Sequence, residues 1–378
     1  MSAEAQSVKR KALLLVGGFG TRLRPLTFTK AKPLVEFINK PILVHQIEAL
    51  KKVGVSEVVL AINYNAEKMF SYLKEFEKDY NIKITVSKED IPMDTAGPIG
   101  LAKNILKDAE EIFVFNADVT CEFPLQEMLA FHKKHGREGT IATTKVKDPS
   151  RFGVIVTDEN DKILKFVEKP KEFVGDRINA GLYIFSNKFL DRIEPKPTSI
   201  EREIFPKMAK DEQLFAFHMN GFWADIGKPK DYLHGTELFL NDLYEKNINH
   251  ELFTPVSDSI GKNVVIDKSV KIEDGCFIGP NVVIGAGCEI KSGTRIKNSV
   301  ILQNCVVNNN CFIENSIIGW KSHIGKWCRI QDYSVLGEDV TVRNEFLLKN
   351  NIVLPNVTIK SNPKEGDILL AWVDFGLI

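Results

Sequence analysis

The chain has 378 residues, which is long for one hydrophobic core and suggests two domains. Its fifty basic and fifty acidic residues cancel, so no nucleic-acid partner is indicated. No apolar run reaches the roughly 18 residues of a membrane span, no secretory signal opens the chain, and the six cysteines form no C-x-x-C pair. We therefore expect a cytoplasmic protein without a membrane segment, a zinc site or a disulfide framework.

The first predicted element is a buried strand at 12–16, which runs into the sequence GGFGTRLRPLT at 17–27. Three of the first four loop positions are glycine, and the missing Cβ atoms let a ligand approach the backbone. Exposed N–H groups in such a loop form a concave site for anions. Arg22, Arg24 and Lys32 add positive charge nearby. The loop is therefore predicted to hold a triphosphate.

Two better-known phosphate motifs are excluded. A Walker loop needs Ser or Thr after its Gly-Lys pair, whereas the three Gly-Lys pairs of this chain are followed by Pro229, Asn263 and Trp327. The dinucleotide fingerprint needs a third glycine at the place where Leu23 stands. The loop therefore indicates neither an ordinary ATPase nor an NAD enzyme.

Apolar and amphipathic stretches alternate downstream of this loop. Strands are predicted at 58–62, 82–86 and 112–116, and helices at 41–53, 66–80 and 98–106. This alternation predicts a Rossmann-like α/β domain with a mixed, mostly parallel sheet. Ligands bind beyond the carboxyl ends of such strands, so the loop that begins at Gly17 and the residue Asp118 are predicted on the same edge.

A second group of strands is predicted at 140–146, 154–156, 165–167, 182–185 and 214–219. Four motifs stand at the ends of apolar runs, namely FGV at 152–154, FVEKP at 166–170, INAG at 178–181 and GFWADIG at 221–227. An isolated pair such as Glu168-Lys169 is more often a solvated strand end. The presence of four such motifs favours a functional interpretation.

An Asn-rich linker at 246–259 precedes a repeat in which aliphatic residues recur every six positions from Ile260 to Leu302. The frame shifts by two near 308–310 and continues from Ile318 to Leu354. Hexapeptide repeats predict a left-handed parallel β-helix with three hexads in each coil. Three cysteines at the fifth position of their hexads are predicted to fill the coil interior, namely Cys276, Cys288 and Cys328. The predicted domains are 1–248 and 249–378.

The loop at 17–27 with the later Lys32-Pro33 pair resembles the signature of the sugar-1-phosphate nucleotidylyltransferase family. The resemblance implies that a sugar phosphate attacks the α-phosphorus of a nucleoside triphosphate, with Mg²⁺ or another divalent ion as cofactor. It also implies that Arg22 binds the triphosphate, that Lys32 acts near the α-phosphate, and that Asp118 and Asp225 bind the metal. The enzyme's task is then mainly electrostatic stabilisation and alignment, without a covalent nucleophile.

The same resemblance implies two further sets of ligand contacts. The sugar phosphate is expected to contact Gly153, Glu168, Lys169 and Asn179. The nucleotide is expected to contact Gly17, Gly18, Gly20, Thr21, Thr95, Ala96, Gly97 and Asn116.

Several segments are similar to the eukaryotic GDP-mannose pyrophosphorylase group of that family, at 40–50, 95–98, 198–206, 221–223, 318–320 and 335–337. The similarity reaches about residue 354 and implies that GTP and mannose 1-phosphate give GDP-mannose and pyrophosphate. Four positions depart from the pattern, with Asp94 for Gly, Ala117 for Ser, Ala224 for Met and Lys228 for Gln. The tail at 371–378 runs past the usual end.

Three alternatives stay open at this point. The chain could be a non-catalytic regulatory paralogue of the same complex, or a pyrophosphorylase for an NDP-glucose. It could also be an acyltransferase of the hexapeptide-repeat class, although His323 is the only histidine within the repeat. The β-helix itself is predicted to serve assembly, so we expect a homodimer or larger oligomer, with a regulatory paralogue as a further partner.

Overall fold

A computed structural model describes residues 8–18, 20–62 and 69–370. The described residues divide into two compact units, the first formed by 8–18 with the residues from 43 to 223 and the second by 20–42 with 224–370. The segment 20–42, which contains most of the glycine loop, thus packs with the C-terminal residues. The predicted domain boundary at residue 248 is a division along the sequence, and it stays a prediction. Among the described helices, none combines the length and apolar composition needed to cross a membrane.

The strands up to residue 225 are β1 (Arg10–Leu15), β2 (Glu36–Phe37), β3 (Lys40–Pro41), β4 (Val55–Ile62), β5 (Lys83–Lys88), β6 (Glu111–Asn116), β7 (Val119–Cys121), β8 (Gly139–Lys145), β9 (Gly153–Thr157), β10 (Ile163–Glu168), β11 (Arg177–Ser186), β12 (Leu214–His218) and β13 (Trp223–Asp225). The α-helices are α1 (Ile42–Lys52), α2 (Phe70–Tyr80), α3 (Gly97–Leu101), α4 (Lys103–Leu106), α5 (Leu125–His135), α6 (Phe205–Lys210) and α7 (Pro229–Lys246). Short 3₁₀ turns occupy Thr21–Leu23, Leu26–Phe28, Lys32–Leu34 and Asn187–Arg192, and a π-helical turn occupies Ile200–Ile204.

The first unit is built on one nine-stranded sheet in the order β10-β9-β11-β6-β1-β4-β5, with β8 paired to β11 and β12. Strands β6, β1, β4 and β5 are parallel, whereas β11 is antiparallel to β6, β8 and β9. Leu13 and Leu14 of β1 are fully buried because both faces of this central strand are covered. The predicted Rossmann-like fold with a mixed sheet is confirmed.

The predicted helix at 98–106 is two short helices, α3 and α4, that meet at Ala102. The start of α3 lies very close to the main chain of Lys196, because a Cβ on Gly97 would lie 2.6 Å from the Lys196 carbonyl oxygen. The helix predicted at 66–80 begins at Phe70 in the described part of the chain, and residues 66–68 lie outside it.

A bulge interrupts β11 at the point where its pairing with β8 changes register and its pairing with β6 begins. The register shifts between Asn179 and Tyr183, and Gly181 has a φ of 76°. A Cβ on Gly181 would lie 2.7 Å from the Asn116 Nδ2 atom, so only glycine fits there. Bulges of this kind re-aim side chains and are frequent beside active sites.

The second unit contains three parallel sheets of seven, six and five short strands. Their strands are β14 (Val264–Ile266), β15 (Lys271–Ile272), β16 (Phe277–Ile278), β17 (Val282–Ile284), β18 (Glu289–Ile290), β19 (Arg295–Lys297), β20 (Ser299–Ile301), β21 (Val306–Val307), β22 (Phe312–Glu314), β23 (Ile317–Ile318), β24 (His323–Ile324), β25 (Arg329–Gln331), β26 (Val335–Leu336), β27 (Thr341–Val342), β28 (Leu347–Lys349), β29 (Ile352–Val353), β30 (Thr358–Ile359) and β31 (Ile368–Leu369). Each strand pairs with the third strand after it for most of the repeat, which is the pattern of a parallel β-helix. The predicted β-helix is confirmed.

The repeat frame differs in detail from the predicted one. The fully buried interior residue is Ile301 rather than Leu302, and Val353 rather than Leu354, which packs against the same core but is only partly buried. The predicted shift of two is made in two single-residue steps, because the interior positions run from Ile296 to Ile301 and from Ile313 to Ile318. Cysteines fill the interior as predicted, since all three that the sequence singled out are buried in this core, together with the cysteines at 305 and 311.

A separate apolar cluster covers the outside of one β-helix face. Its outward aliphatic residues are Val265, Val283, Val300, Ile317 and Val335, one from each successive coil. They pack with Phe37 and Ile38 of the hairpin β2–β3 and with Tyr232 and Leu240 of α7. Leu302, displaced from the predicted interior position, belongs to this outer cluster.

Candidate active site

The glycine loop is held by a left-handed residue at its centre. Gly20 has a φ of 63°, and a Cβ there would lie 3.0 Å from the Thr27 Cγ2 atom and 3.2 Å from the Lys32 Cβ atom. The Thr27 hydroxyl donates a 2.7 Å hydrogen bond to the Gly20 carbonyl oxygen, which also accepts the Leu23 N–H. Glycine is therefore required at position 20 for the fold of the loop, and the loop brings Lys32 next to it.

Arg22 and Asp225, far apart in the sequence, meet in the second unit. The Arg22 Nη1 atom lies 3.9 Å from the Asp225 Oδ2 atom, and their side chains are 55% and 25% exposed. The Gly227 N–H donates a 2.9 Å hydrogen bond to the other carboxylate oxygen of Asp225. Thr21 is exposed on the same turn. Because the ion pair is long and the Arg22 side chain is more than half exposed, solvent screens this attraction and the pair contributes little to stability.

Arg24 behaves differently from Arg22. Its guanidinium lies over the ring of Phe28, 4.6 Å from the ring centre. The pair is a surface cation–π contact, so the structure gives Arg24 a local partner. The sequence indicated three cations near the loop, and the structure shows that Arg22 and Arg24 have different partners.

In the first unit, Gly17, Gly18 and Asp118 lie at one edge of the sheet. β1 and β6 are adjacent and parallel, with Leu15 opposite Asn116, so the residues that follow the two strands emerge side by side. This confirms the predicted common edge. A Cβ on Gly18 would meet no atom within 4 Å, so the space beside this glycine is open. Asp118, which comes just after the end of β6, is partly buried.

The bulge in β11 brings Asn116, Asn179 and Tyr183 together. The Asn179 side chain donates a 2.8 Å hydrogen bond to the Tyr183 hydroxyl and accepts the Gly181 N–H at 2.9 Å. Burial raises the pKa of the Tyr183 hydroxyl well above its ordinary value, although its hydrogen bonds to Asn179 and Asn116 oppose that shift. The phenol therefore stays protonated, and the cluster is neutral.

The FVEKP motif lies on the edge hairpin β9–β10. Glu168 is opposite Gly153, and a Cβ at position 153 would lie 2.5 Å from the Phe166 ring. Lys169 has a φ of 45°, which is uncommon for a lysine, and its Nζ atom lies 3.2 Å from Glu168 Oε1. The Lys169 side chain is 61% exposed. Non-glycine residues held at such dihedral angles cluster at functional sites.

The residues predicted to contact the base are tied into the protein. The Thr95 hydroxyl donates a 2.6 Å hydrogen bond to Glu201 Oε2 and accepts the Ile200 N–H at 2.9 Å. Ala96 is buried, and Gly97 is required by the close approach described above. These contacts explain the residue types by packing, so a base-binding role for 95–97 stays a prediction that would rest on their backbone.

Two supporting contacts were not predictable from the sequence. Gln46 is fully buried and donates to the main-chain oxygens of Asn116 at 2.9 Å and Val119 at 3.3 Å, so it bridges the two ends of the segment that carries Asp118. The Phe152 ring meets Trp223 edge to face, with 5.5 Å between ring centres. The sequence does not connect the GFWADIG and FGV motifs, and this ring contact shows that they lie together.

No group of three or more His, Cys, Asp or Glu side chains suited to a metal ion occurs in the described ranges. Mg²⁺ commonly binds through one or two carboxylates and the phosphates of its substrate. Asp118 belongs to the first unit and Asp225 to the second, and their joint binding of a metal ion stays a prediction.

Family comparisons match almost the whole chain. The nucleotidyl transferase family matches residues 11–242, and the GMPPB C-terminal domain matches residues 260–369. The mannose-1-phosphate guanylyltransferase catalytic subunit beta of Dictyostelium discoideum is 54% identical, covering 95% of this chain and 100% of the relative. The mannose-1-phosphate guanyltransferase of Schizosaccharomyces pombe is 51% identical, covering 93% and 97%.

Solved structures support the fold over 61% of the chain. HddC from Yersinia pseudotuberculosis is 30% identical with a TM-score of 0.51, covering 61% of this chain and 99% of its own. A proposed glucose-1-phosphate thymidylyltransferase from Bacillus anthracis, in complex with sucrose, is 23% identical with a TM-score of 0.56, covering 61% and 94%. The chain therefore belongs to the nucleotidyl transferase family and, within it, to the mannose-1-phosphate guanylyltransferases.

Proposed function

We propose that the protein transfers the GMP group of GTP to mannose 1-phosphate, giving GDP-mannose and pyrophosphate. The observation that carries this proposal is that Arg22, on the turn after Gly20, lies 3.9 Å from Asp225 at the end of β13. A cation for the triphosphate beside a carboxylate suited to a metal is the combination that nucleotidyl transfer needs. Relatives of about 50% identity over nearly the whole chain support the choice of GTP and mannose 1-phosphate.

Each group has a proposed task. Arg22 and Lys32 offset the negative charge of the triphosphate, and Lys169 holds the phosphate of the sugar. Glu168 and Asn179 orient the sugar, next to Gly153. A mannose 1-phosphate oxygen is already ionised at neutral pH, so the protein need not supply a strong general base. When bound, Mg²⁺ would neutralise phosphate charge, held by the carboxylates of Asp118 and Asp225.

The departures from the family pattern are compatible with this proposal. Asp94 has a φ of 58°, a conformation that glycine adopts freely and aspartate tolerates better than most residues. The exposed Asp94 therefore satisfies the same backbone as the usual Gly. Ala224 is buried, and its Cβ atom lies 3.1 Å from the position that a Cβ on Gly235 would take.

The direct test is pyrophosphate release by the purified full chain with Mg²⁺. GTP with mannose 1-phosphate should be the fastest pair, and chelation of divalent ions should abolish turnover. A higher kcat/KM with ATP or UTP and glucose 1-phosphate would favour the NDP-glucose alternative. Turnover that appears only after a partner subunit is added would favour the regulatory paralogue.

The acyltransferase alternative rests on His323. Its Nε2 atom lies 3.0 Å from the Asn308 Nδ2 atom, on the exposed face of the β-helix. This local contact accounts for the residue without a catalytic role. The His323→Ala variant should release pyrophosphate at the wild-type rate, and a loss of turnover in a folded variant would revive the alternative.

The proposal includes a cytoplasmic location, an N-terminal catalytic domain at 1–248, a β-helix domain at 249–378, and an assembly of at least two chains. The name of one relative, a catalytic subunit, supports a regulatory partner as well. Light scattering on the purified chain tests the assembly, and a monomer at micromolar concentration would contradict it.

A further inference from the structure

A buried carboxylate connects the segment around Lys32 to the β-helix within the second unit. The side chain of Glu36 is 6% exposed, and its two oxygens have different partners. Lys30 Nζ lies 2.5 Å from Oε1, and the Trp320 indole N–H donates a 2.8 Å hydrogen bond to Oε2. The Lys30 ammonium also lies 4.5 Å from the centre of the Trp320 ring. The three side chains thus form a closed triangle.

Further hydrogen bonds hold the main chain at Glu36 and the turn of the hairpin β2–β3. The Tyr232 hydroxyl of α7 donates a hydrogen bond to the main-chain oxygen of Glu36, and its ring meets Phe37 edge to face. The Asn39 side chain donates a 2.9 Å hydrogen bond to the main-chain oxygen of Ile284 in the β-helix. The hairpin β2–β3 is therefore held by a side chain of α7 and, through its own Asn39, by the main chain of the β-helix.

Lys32 lies between the two anchored residues of this triangle. Lys30 precedes it by two positions, Glu36 follows it by four, and the 3₁₀ turn Lys32–Leu34 lies between them. The main-chain oxygen of Lys32 accepts the Val35 N–H at 3.2 Å. A shift of Glu36 would therefore be transmitted to Lys32 over a single turn of backbone.

We propose that Trp320 is a positioning residue, which sets the place of Lys32 through Glu36, so that the β-helix takes part in binding the nucleotide. This inference rests on the proposed function, in which Lys32 contacts the triphosphate. A buried carboxylate that loses a hydrogen-bond donor moves towards its remaining cation or towards water, because an unpaired charge is costly to bury. Either movement displaces the Lys32 turn.

The Trp320→Phe variant removes the indole N–H and keeps an aromatic ring in the cluster. We expect the KM for GTP to rise about tenfold, because a displaced Lys32 would meet the triphosphate in poorer alignment. The KM for mannose 1-phosphate should stay within about twofold. The matched control is Trp327→Phe, because Trp327 is also on the β-helix but its residue is 62% exposed, and both KM values should stay at the wild-type level.

A folded Trp320→Phe protein with an unchanged KM for GTP would overturn the inference, as would equal losses for both substrates. If Trp320→Phe fails to fold, Glu36→Gln decides by the same criterion, and a failure of both variants to fold would assign the triangle a purely structural role. Calorimetric titration with Mg²⁺-GTP keeps the two proposals separate. Absence of turnover in the wild type would contradict the proposed function, whereas weaker GTP binding by Trp320→Phe would still support positioning.

Discussion

The side-chain amide of Asn179 donates a 2.8 Å hydrogen bond to the hydroxyl of Tyr183, four residues further along β11. With its oxygen, the same side chain accepts the Gly181 N–H, so one asparagine satisfies both sides of the bulge. The residue that the family resemblance assigned to sugar binding therefore also maintains the local backbone. Any effect of changing it has to be divided between folding and binding.

The Asn179→Ala variant separates these contributions. It leaves the Gly181 N–H without its side-chain acceptor, and we expect a loss of roughly 1–3 kcal/mol in the free energy of unfolding. Urea denaturation measures this loss. Tyr183→Phe removes only the hydroxyl and should cost less. If binding also depends on Asn179, the KM for mannose 1-phosphate should rise for Asn179→Ala more than for Tyr183→Phe, and equal KM values would contradict a sugar contact.

Arg22 and Arg24 form a matched pair, because the same loop carries both. We expect Arg22→Ala to lower kcat/KM by about 10²-fold or more, the scale reported for removing one donor that stabilises developing charge. Arg24→Ala should change kcat/KM by less than about threefold, since Arg24 lies over Phe28. Steady-state kinetics with varied GTP measure both. Equal losses would show that net charge, rather than the position of Arg22, matters.

Gly18 and Gly97 test whether a glycine serves the ligand or the fold. Gly18→Ala should unfold at the wild-type temperature, because the new methyl group meets no atom within 4 Å. If the Gly18 backbone approaches a phosphate, the KM for GTP should rise clearly. Gly97→Ala should instead lower the melting temperature, since its methyl group would lie 2.6 Å from the Lys196 oxygen. Unchanged nucleotide affinity in Gly18→Ala would remove position 18 from the binding site.

His132 gives the first unit a predictable response to acid. Burial, assisted by the nearby charge of Lys133, lowers the pKa of His132 to about 4. The unfolded chain therefore binds a proton that the folded chain does not, at any pH between the two pKa values. Stability should be constant above about pH 7 and fall between about pH 6.5 and 4, with roughly 3 kcal/mol lost through this group.

The measurement is urea unfolding of the wild type and His132→Asn at pH 7 and pH 5. The variant should be less stable at pH 7 because the Thr140 hydroxyl loses its 2.8 Å contact with His132 and keeps only His135. The difference from the wild type should shrink at pH 5. His234→Asn, at a side chain 65% exposed, is the control. A difference that stays constant with pH would contradict the assignment.

Most of the fold was predictable because local patterns determine it. The strands near 12–16, 58–62 and 112–116 were recognised from apolar runs, and the hexapeptide period identified the β-helix. The exact frame was not predictable, since Ile301 and Leu302 are both aliphatic and only the coil closure selects the interior one. The break at Ala102 was also missed, because it arises from the close approach at Gly97 and not from the helical pattern.

The candidate site was predictable only where a motif carries it. The role of Arg22, which the resemblance of the loop motif implies, stays a prediction, whereas the strand pattern correctly predicted the common edge of Gly17 and Asp118. No local signal connects Glu36 with Trp320, or Thr95 with Glu201, because these pairs depend on tertiary packing. The family resemblance also implied that Thr95 and Gly97 contact a ligand, whereas packing alone accounts for their residue types.

The apolar cluster that joins the hairpin β2–β3 to the outer wall of the coils limits how this chain can be divided. A fragment that stops after α7 would keep the contact of Phe37 with Tyr232 but would lose the coil residues of this cluster, and the apolar surface exposed in this way promotes aggregation. Chimaeras that exchange the C-terminal coils between relatives should therefore transfer residues 20–42 with them. The turn after Gly20 and the coils of the β-helix belong to one compact unit and should be exchanged together.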